Sequence, residues 1–309
     1  MSRPATTLED RPAQGRPAGT MPTTLRLALP KGRMHDGVCA LLADAGLRLR
    51  TSARGYRPTL GTAGFETKIL KPQNIVEMLH LGSRDVGFAG ADWVAELDAD
   101  IVEVLDTGLD QVRLVAAAPR ARLDAGGLAP SPDGPLRIAS EYQRLTTSWI
   151  AERGLDARVV RSYGATEVLP PEDADAIVDI TASGATLEAN GLEIFDEILT
   201  SSTRLYASKA AIADDAKRAA IEDLALVLQA ALDARLRVML EVNAPQHALE
   251  AIAEALPCMR EPTVSPLHGG AGWAVKAAVP REALARLIPL LKARGGTDIV
   301  VTRLEQVAP

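Results

Sequence analysis

Aromatic side chains are scarce, at 3% of the 309 residues. Base-stacking nucleic-acid platforms need exposed rings, so this composition argues against one. Leu, Val, Ile and Ala must fill the core instead. A net charge of −6 without any dense Lys/Arg block also disfavours a nucleic-acid or membrane-surface partner. Cysteine is limited to Cys39 and Cys258, each among apolar neighbours. They read as reduced core thiols of a cytoplasmic protein, not as a disulfide framework. The four histidines, His35, His80, His247 and His268, lack metal-ligand spacing. No apolar run reaches the about 20 residues of a membrane helix, so no membrane role is expected. Residues 1–22 hold Pro, Gly and Arg but no apolar h-region. They read as a disordered tail and not a signal peptide, with Met21 as an alternative start.

Hydrophobic residues make up 47% of a chain long enough for two or three domains. Its most informative stretch is Ala174-Asp-Ala-Ile-Val-Asp-Ile-Thr-Ala-Ser-Gly-Ala-Thr-Leu-Glu-Ala-Asn-Gly-Leu192. Ala176 to Ile180 is apolar apart from Asp179, as suits a strand covered on both faces. Ser183-Gly184-Ala185-Thr186 then offers backbone N–H groups and two hydroxyls at the start of a helix. Unpaired amides and a helix dipole there favour an anion such as phosphate. Asp179 carries the acceptor that a sugar hydroxyl needs, so the segment suits a phosphoribosyl group. A plain helix cap is the commoner use of such a loop.

From Leu25 onward short apolar strands alternate with amphipathic helices, which implies a mainly parallel α/β sheet in each of two lobes. Strands are expected at Leu25 to Leu29, Asp85 to Gly90, Val112 to Ala118, Leu136 to Ala139 and around Val159, with a return to the first lobe at Leu205 to Ser208. Pro119 to Pro135 is rich in turn residues and is expected to cross between the lobes. Ala213 to about Met239 is one long helical pattern. Beyond it the order becomes βαββαβ, the ferredoxin-like plan. Such an appended unit suits either ligand sensing or oligomerisation.

Several candidate site residues follow strand ends, where ligands bind in α/β folds. Pro30-Lys31-Gly32-Arg33 suits a polyphosphate, or is a solvated basic turn. Gly87, Gly90 and Asp92 mark another strand end; Gly permits close ligand approach, and Asp92 is also a possible helix cap. Glu141 and Tyr142 follow a third, with Tyr142 either meeting a nucleotide or half-buried in a loop. Glu167 lies past Gly164, with a solvated or capping carboxylate as the plain alternative. Together these positions favour one interlobe cleft.

In combination the segments resemble the long form of the ATP phosphoribosyltransferase family, the first enzyme of histidine biosynthesis, from about Leu25 to the C-terminus. Asp179-Ile-Thr-Ala-Ser-Gly-Ala-Thr-Leu187 fits the family signature D-[LIV]-x-x-[ST]-G-x-T-[LM] throughout. Leu29-Pro-Lys-Gly-Arg33, Ile69-Leu-Lys-Pro-Gln-Asn-Ile75 and Val86-Gly-Phe-Ala-Gly-Ala-Asp92 resemble its N-terminal segments, with Lys71 where the family has Arg. Pro262 to Leu267, Trp273 and Gly295-Gly-Thr-Asp-Ile299 are similar to its regulatory domain. The stretch from Glu167 to Ala174 is shorter than the family's and lacks its glycine, and Glu141-Tyr-Gln143 lacks its usual Tyr-Pro.

The resemblance implies two periplasmic-binding-protein-like lobes and a ferredoxin-like regulatory domain. Lobe I is expected at 23–112 and 193–234, lobe II at 113–192, and the histidine-sensing domain at 235–309. It implies condensation of ATP with 5-phosphoribosyl 1-pyrophosphate, with Mg²⁺, to N1-(5-phosphoribosyl)-ATP and pyrophosphate. Asp179, Ser183, Gly184, Ala185, Thr186 and Leu187 would hold the phosphoribosyl group. Lys31, Arg33 and Lys71 would face ATP phosphate or pyrophosphate, with Gly90, Asp92 and Tyr142 near the nucleotide. Glu167 would orient the sugar or engage Mg²⁺ indirectly; the direct metal ligands stay unassigned. Histidine would inhibit through Asn243 and Thr263 in a homo-hexamer, with a dimer as the alternative. The competing readings are a small-molecule-binding regulatory protein of the same two-lobed fold and a catalytically weak paralogue.

Overall fold

The structure, a computed structural model, describes residues 23–50, 55–124, 127–131 and 134–308. The tail at 1–22 lies outside the described residues. They fall into two compact units. One comprises the described residues up to Cys39 and from Leu49 to Glu222; the other comprises Ala40–Arg48 and those from Asp223 onward. No helix among the described residues is long and apolar enough to cross a membrane.

The first unit begins with β1 (Leu25–Pro30) and α1 (Met34–Asp44), whose last residues belong to the second unit. A small antiparallel pair, β2 (Leu49–Arg50) and β3 (Thr59–Leu60), precedes β4 (Phe65–Leu70), α2 (Pro72–His80), β5 (Val86–Gly90), α3 (Ala91–Glu96) and the long β6 (Val102–Pro119). After the pair β7 (Leu123–Asp124) and β8 (Gly127–Leu128) come β9 (Leu136–Ser140), α4 (Gln143–Arg153), β10 (Ala157–Arg161), β11 (Ala176–Thr181), α5 (Ala185–Ala189), β12 (Leu192–Ala207), α6 (Lys209–Ala213) and α7 (Asp215–Leu236), which belongs to the second unit from Asp223 onward. Punctuation follows local chemistry: Pro72 opens α2, and Gly154, in the left-handed region at φ 63°, closes α4.

Eight strands form one sheet in the order β10-β9-β11-β6-β12-β5-β1-β4. β1 pairs in parallel with β4 and β5, and β9 in parallel with β10 and β11. The two groups, hereafter the first and second lobes, are joined by β6 and β12, which pair antiparallel with each other. The sheet is buried on both faces. Leu114, Ala116 and Ala118 of β6 pack with Ile138 and Trp149 on one side; Val115 and Ala117 pack with Ile177 and Leu187 on the other.

The crossing between lobes is therefore not the turn-rich 119–135 segment. β6 and β12 themselves cross, because the half-polar run Val102 to Gln111 is held as strand by pairing with β12. Register shifts along that pair, and positive φ at Gly108 (64°) and Asp110 (50°), give it the irregularity of a bent ribbon. Register fixes what the ribbon presents. β5 ends at Gly90 opposite Thr203, and β11 ends at Thr181 opposite Arg113, itself paired with Thr200. The C-terminal strand ends of the two lobes thus converge on the same stretch of the ribbon.

Asp85, just before β5, braces the first lobe. It accepts from the Arg26 backbone N–H (2.8 Å), from the Arg26 guanidinium (2.7 Å) and from Lys217 Nζ of α7 (2.9 Å). Burial pushes its carboxyl up, but these donors win and hold it at about 2.

The second unit contains β13 (Arg237–Ala244), α8 (Leu249–Ala255), β14 (Thr263–Pro266), β15 (Trp273–Pro280), α9 (Leu284–Ala293) and β16 (Thr297–Arg303). The antiparallel order β14-β15-β13-β16 is the ferredoxin-like plan expected from the pattern. Val238, Leu240 and Val242 point at Ile252 of α8 and at Leu287 and Leu291 of α9 in one apolar cluster.

Candidate active site

β11 carries its apolar residues into the sheet and delivers Asp179 near its end. Beyond it lies an open recess of about 320 Å³, lined by Glu167, Asp179, Ile180, Thr181, Ala182, Ser183, Thr186 and Leu187. The loop is self-braced. The Gly184 N–H donates to Thr181 Oγ1 (2.9 Å), and Gly184 sits at φ 88°, with Ile194 Cδ1 3.3 Å from where a Cβ would be. This corrects the expected source of anion affinity. α5 has only five residues, so its dipole is small, and one of the loop amides is already engaged. The amides of Thr186 and Leu187, in the first turn and without intrahelical acceptors, and the hydroxyls of Ser183 and Thr186 remain to hold an anion. The Ala185 N–H leans on Ser183 Oγ at 3.4 Å.

Asp179 is the charged centre of the recess. Burial pushes its carboxyl up to about 6. The Ile180 N–H and the Thr166 hydroxyl donate to it and pull the other way, while Glu141 and Glu167 repel its charge. Ser162 and Thr166 hydroxyls lie 2.8 Å apart, so with Thr166 donating to Asp179, Ser162 is the donor of that pair. These acids gather because β10, β9 and β11 are adjacent and all three end at this edge. A carboxylate that loses its proton near pH 6 is charged above that pH and then accepts strongly from neutral hydroxyls.

The first lobe supplies the cations. Pro30 and Leu70 are register partners, and the Lys31 N–H donates to the Leu70 carbonyl, so Lys31 and Lys71 emerge side by side. Both are exposed, and Lys31 Nζ stands 5.6 Å from the Tyr56 ring centre. Arg33, also exposed, donates from Nη1 to the Asp110 carbonyl of the crossing ribbon (2.9 Å).

Gly90, Asp92 and Tyr142 are brought together, but not as open ligand contacts. The Tyr142 hydroxyl donates to Asp92 Oδ2 (2.6 Å), Ser201 Oγ donates to Asp92 Oδ1 (2.5 Å), and Trp93 covers the Tyr142 ring at 4.7 Å. Asp92 and Tyr142 are each 2% exposed. A Cβ on Gly90 would overlap Asp92 Oδ1, so the glycine makes room for a carboxylate and not for a ligand. Beside this pair, Glu96 accepts the backbone N–H groups of Arg144 (2.9 Å) and Leu145 (3.0 Å), capping α4 from the other lobe.

In the second unit, Asn243 donates from Nδ2 to Asp298 Oδ2 (3.0 Å), and Thr263 is exposed on the edge strand β14. By register both stand on the sheet face opposite Val242 and Val275, with β15 between them.

Two family models match the chain: one described as ATP phosphoribosyltransferase over residues 71–230, and one described as its C-terminal domain over 234–306. The chain belongs to the ATP phosphoribosyltransferase family. It is a transferase of the phosphoribosyl type, acting at the first step of histidine biosynthesis. The ATP phosphoribosyltransferase of Chlorobium phaeobacteroides is 39% identical over 280 residues, covering 89% of this chain and 94% of the relative. That of Pelotomaculum thermopropionicum is 38% identical over 290 residues, covering 92% and 99%. Among solved structures, a chain of the ATP phosphoribosyl transferase (HisG:HisZ) complex from Thermotoga maritima matches with a TM-score of 0.59 at 26% identity, over 68% of this chain and 99% of that one.

Sequence reasoning within this family missed three supporting residues. Thr166 and Thr181, which brace Asp179 and Gly184, were given no role of their own; their position just past or at a strand end was the available signal. Glu96 gave no local signal, since its partners lie 48 and 49 residues away.

Proposed function

We propose that the recess beyond β11 binds the phosphoribosyl group of 5-phosphoribosyl 1-pyrophosphate and that ATP approaches from the cationic strand ends of the first lobe. The observation that carries this reading is the joining of an anion-suited loop to a half-buried Asp179, its carboxyl raised to about 6, in one recess. Ser183, Gly184, Ala185, Thr186 and Leu187 hold the 5′-phosphate, and Asp179 accepts from a ribose hydroxyl. The adenine N1 lone pair forms the bond to C1′ as the C1′–O bond breaks and its electrons leave with pyrophosphate. Such a step needs alignment and stabilisation of charge on the leaving group, not a strong base. Lys31, Arg33 and Lys71 supply that charge. Gly90, Asp92 and Tyr142 act near the nucleotide by holding the two lobes in register.

The family needs a metal ion. Among the described residues no group of three or more His, Cys, Asp or Glu is arranged to hold one alone. Asp179 and Glu167, which both line the recess, nevertheless offer hard oxygen donors there. That set fits Mg²⁺ whose other ligands are diphosphate oxygens of the substrate. Bound there, the ion would neutralise charge on the departing pyrophosphate.

The lobes are assigned as 23–112 with 193–234 and as 113–192, and the domain at 235–309 as the histidine sensor. The sheet face carrying Asn243 and Thr263 is its candidate site, in a homo-hexamer acting in the cytoplasm. Pyrophosphate release tests the reaction: it should require ATP and 5-phosphoribosyl 1-pyrophosphate together, and release with either alone would reject it. Millimolar histidine should slow release at subsaturating ATP; an unchanged rate would reject the sensor assignment.

A further inference from the structure

The aromatic side chains differ sharply in exposure. Tyr142, Tyr206, Phe88 and Trp149 are buried, and the large exposures fall on Tyr56 (61%) and Tyr163 (83%). Tyr56 stands with Lys31 in the first lobe. Tyr163 stands in the second, just past the end of β10, with the Arg161 guanidinium 5.1 Å from its ring centre.

The loop bearing Tyr163 is anchored. The Ser162 N–H donates to the Ser140 carbonyl (3.1 Å), and the buried Ser162–Thr166 hydroxyl pair runs beneath it to Asp179. Gly164 (φ 103°) and the non-glycine Ala165 (φ 48°) are both left-handed, a conformation that persists where surrounding contacts enforce it. A Cβ at Gly164 would lie 3.9 Å from Glu141 Oε1, and Glu167, two residues past Ala165, lines the recess. A large ring is thus displayed to solvent from a braced loop whose foot is the sugar-binding carboxylate.

Chemistry says what meets it. The bond proposed above joins a purine nitrogen to the ribose carbon held beside Asp179. Reacting atoms must approach to about 3–3.5 Å, so the purine lies at the mouth of this recess wherever its triphosphate extends. Tyr142, the tyrosine singled out from sequence for that duty, is shut under Trp93. We propose that Tyr163, backed by Arg161, is the platform on which the purine ring of the nucleotide stacks, a specificity-determining residue that rests on the reaction reading above. Its π-face takes one side of the base, and Arg161 polarises the ring and confines it to one orientation.

The test compares the full-length Tyr163→Ala, Tyr163→Leu and Tyr163→Phe variants with the native chain. Stacking on one base is sensitive to removal of the ring, so Tyr163→Ala should raise KM for ATP about tenfold and weaken ATP binding by calorimetry equally. KM for 5-phosphoribosyl 1-pyrophosphate should stay within twofold. Tyr163→Phe should resemble the native chain, and Tyr163→Leu, which keeps bulk without a π-face, should resemble Tyr163→Ala. An ATP KM and Kd unchanged by Tyr163→Ala, or a loss confined to the sugar substrate, would overturn the assignment. If the native chain made no product the reaction reading would fall, and calorimetry with ATP would still decide on Tyr163.

Discussion

The Tyr142 hydroxyl and the Asp92 carboxylate meet at 2.6 Å across the two lobes, both almost wholly buried. Burial, and then the neighbouring Asp92 charge, push the Tyr142 phenol far above its usual range, so it stays a donor. With Ser201 of the crossing ribbon bonded to the other carboxylate oxygen, one buried anion ties α3, β12 and the start of α4 together.

Tyr142→Phe should therefore cost about 1.5–3 kcal/mol of stability, because a buried carboxylate loses a donor. Urea unfolding measures this. In a double-mutant cycle Asp92→Asn and Tyr142→Phe should couple; strict additivity would show that the contact carries no energy of its own.

Gly90→Ala should be severe for a substitution this small. Its Cβ would overlap Asp92 Oδ1, and the carboxylate could yield only by leaving both Tyr142 and Ser201. A loss of roughly 2 kcal/mol or more is expected, read as a lowered urea midpoint. A midpoint equal to the native one would mean that Asp92 moves freely.

Asp179 sets activity against stability. Its proton is held more tightly in the folded chain, at about 6, than in the unfolded one. Its contribution is thus favourable at low pH and is lost as pH rises towards and through 6, leaving a charge penalty above it. Asp179→Asn keeps an acceptor for Ile180 and Thr166 without the charge. It should stabilise the protein by on the order of 2 kcal/mol at pH 8, with the gain vanishing near pH 4. The same change should lower kcat/KM roughly 10- to 100-fold, through loss of a charged acceptor. Native kcat/KM should itself fall as pH drops below about 6. A gain that persists at pH 4 would contradict the charge account.

The signature from Asp179 to Leu187 was legible because strand, turn and loop follow each other along a few residues. The ferredoxin-like order was legible because each of its elements shows its own period. The acid cluster was only partly so. Glu141, Glu167 and Asp179 are neighbours through the sheet order β10-β9-β11, which no local pattern encodes. The near-complete burial of Tyr142 was not legible locally, because its cover, Trp93 and Asp92, comes from the other lobe. The upstream half of β6 escaped notice because its residues alternate too weakly to announce a strand; pairing with β12 makes it one.

The central claim is that the second-lobe loop takes the phosphoribosyl group in a transfer to ATP. The most direct measurement follows N1-(5-phosphoribosyl)-ATP formation by ultraviolet absorbance with Mg²⁺ and both substrates, for the native chain and for Thr186→Ala. The expected result is product from the native chain with one pyrophosphate released per product. Thr186→Ala should raise KM for 5-phosphoribosyl 1-pyrophosphate about tenfold, as loss of a phosphate hydrogen bond would, and leave KM for ATP within twofold. No product from folded protein that binds both substrates, or a Thr186→Ala defect confined to ATP, would contradict it.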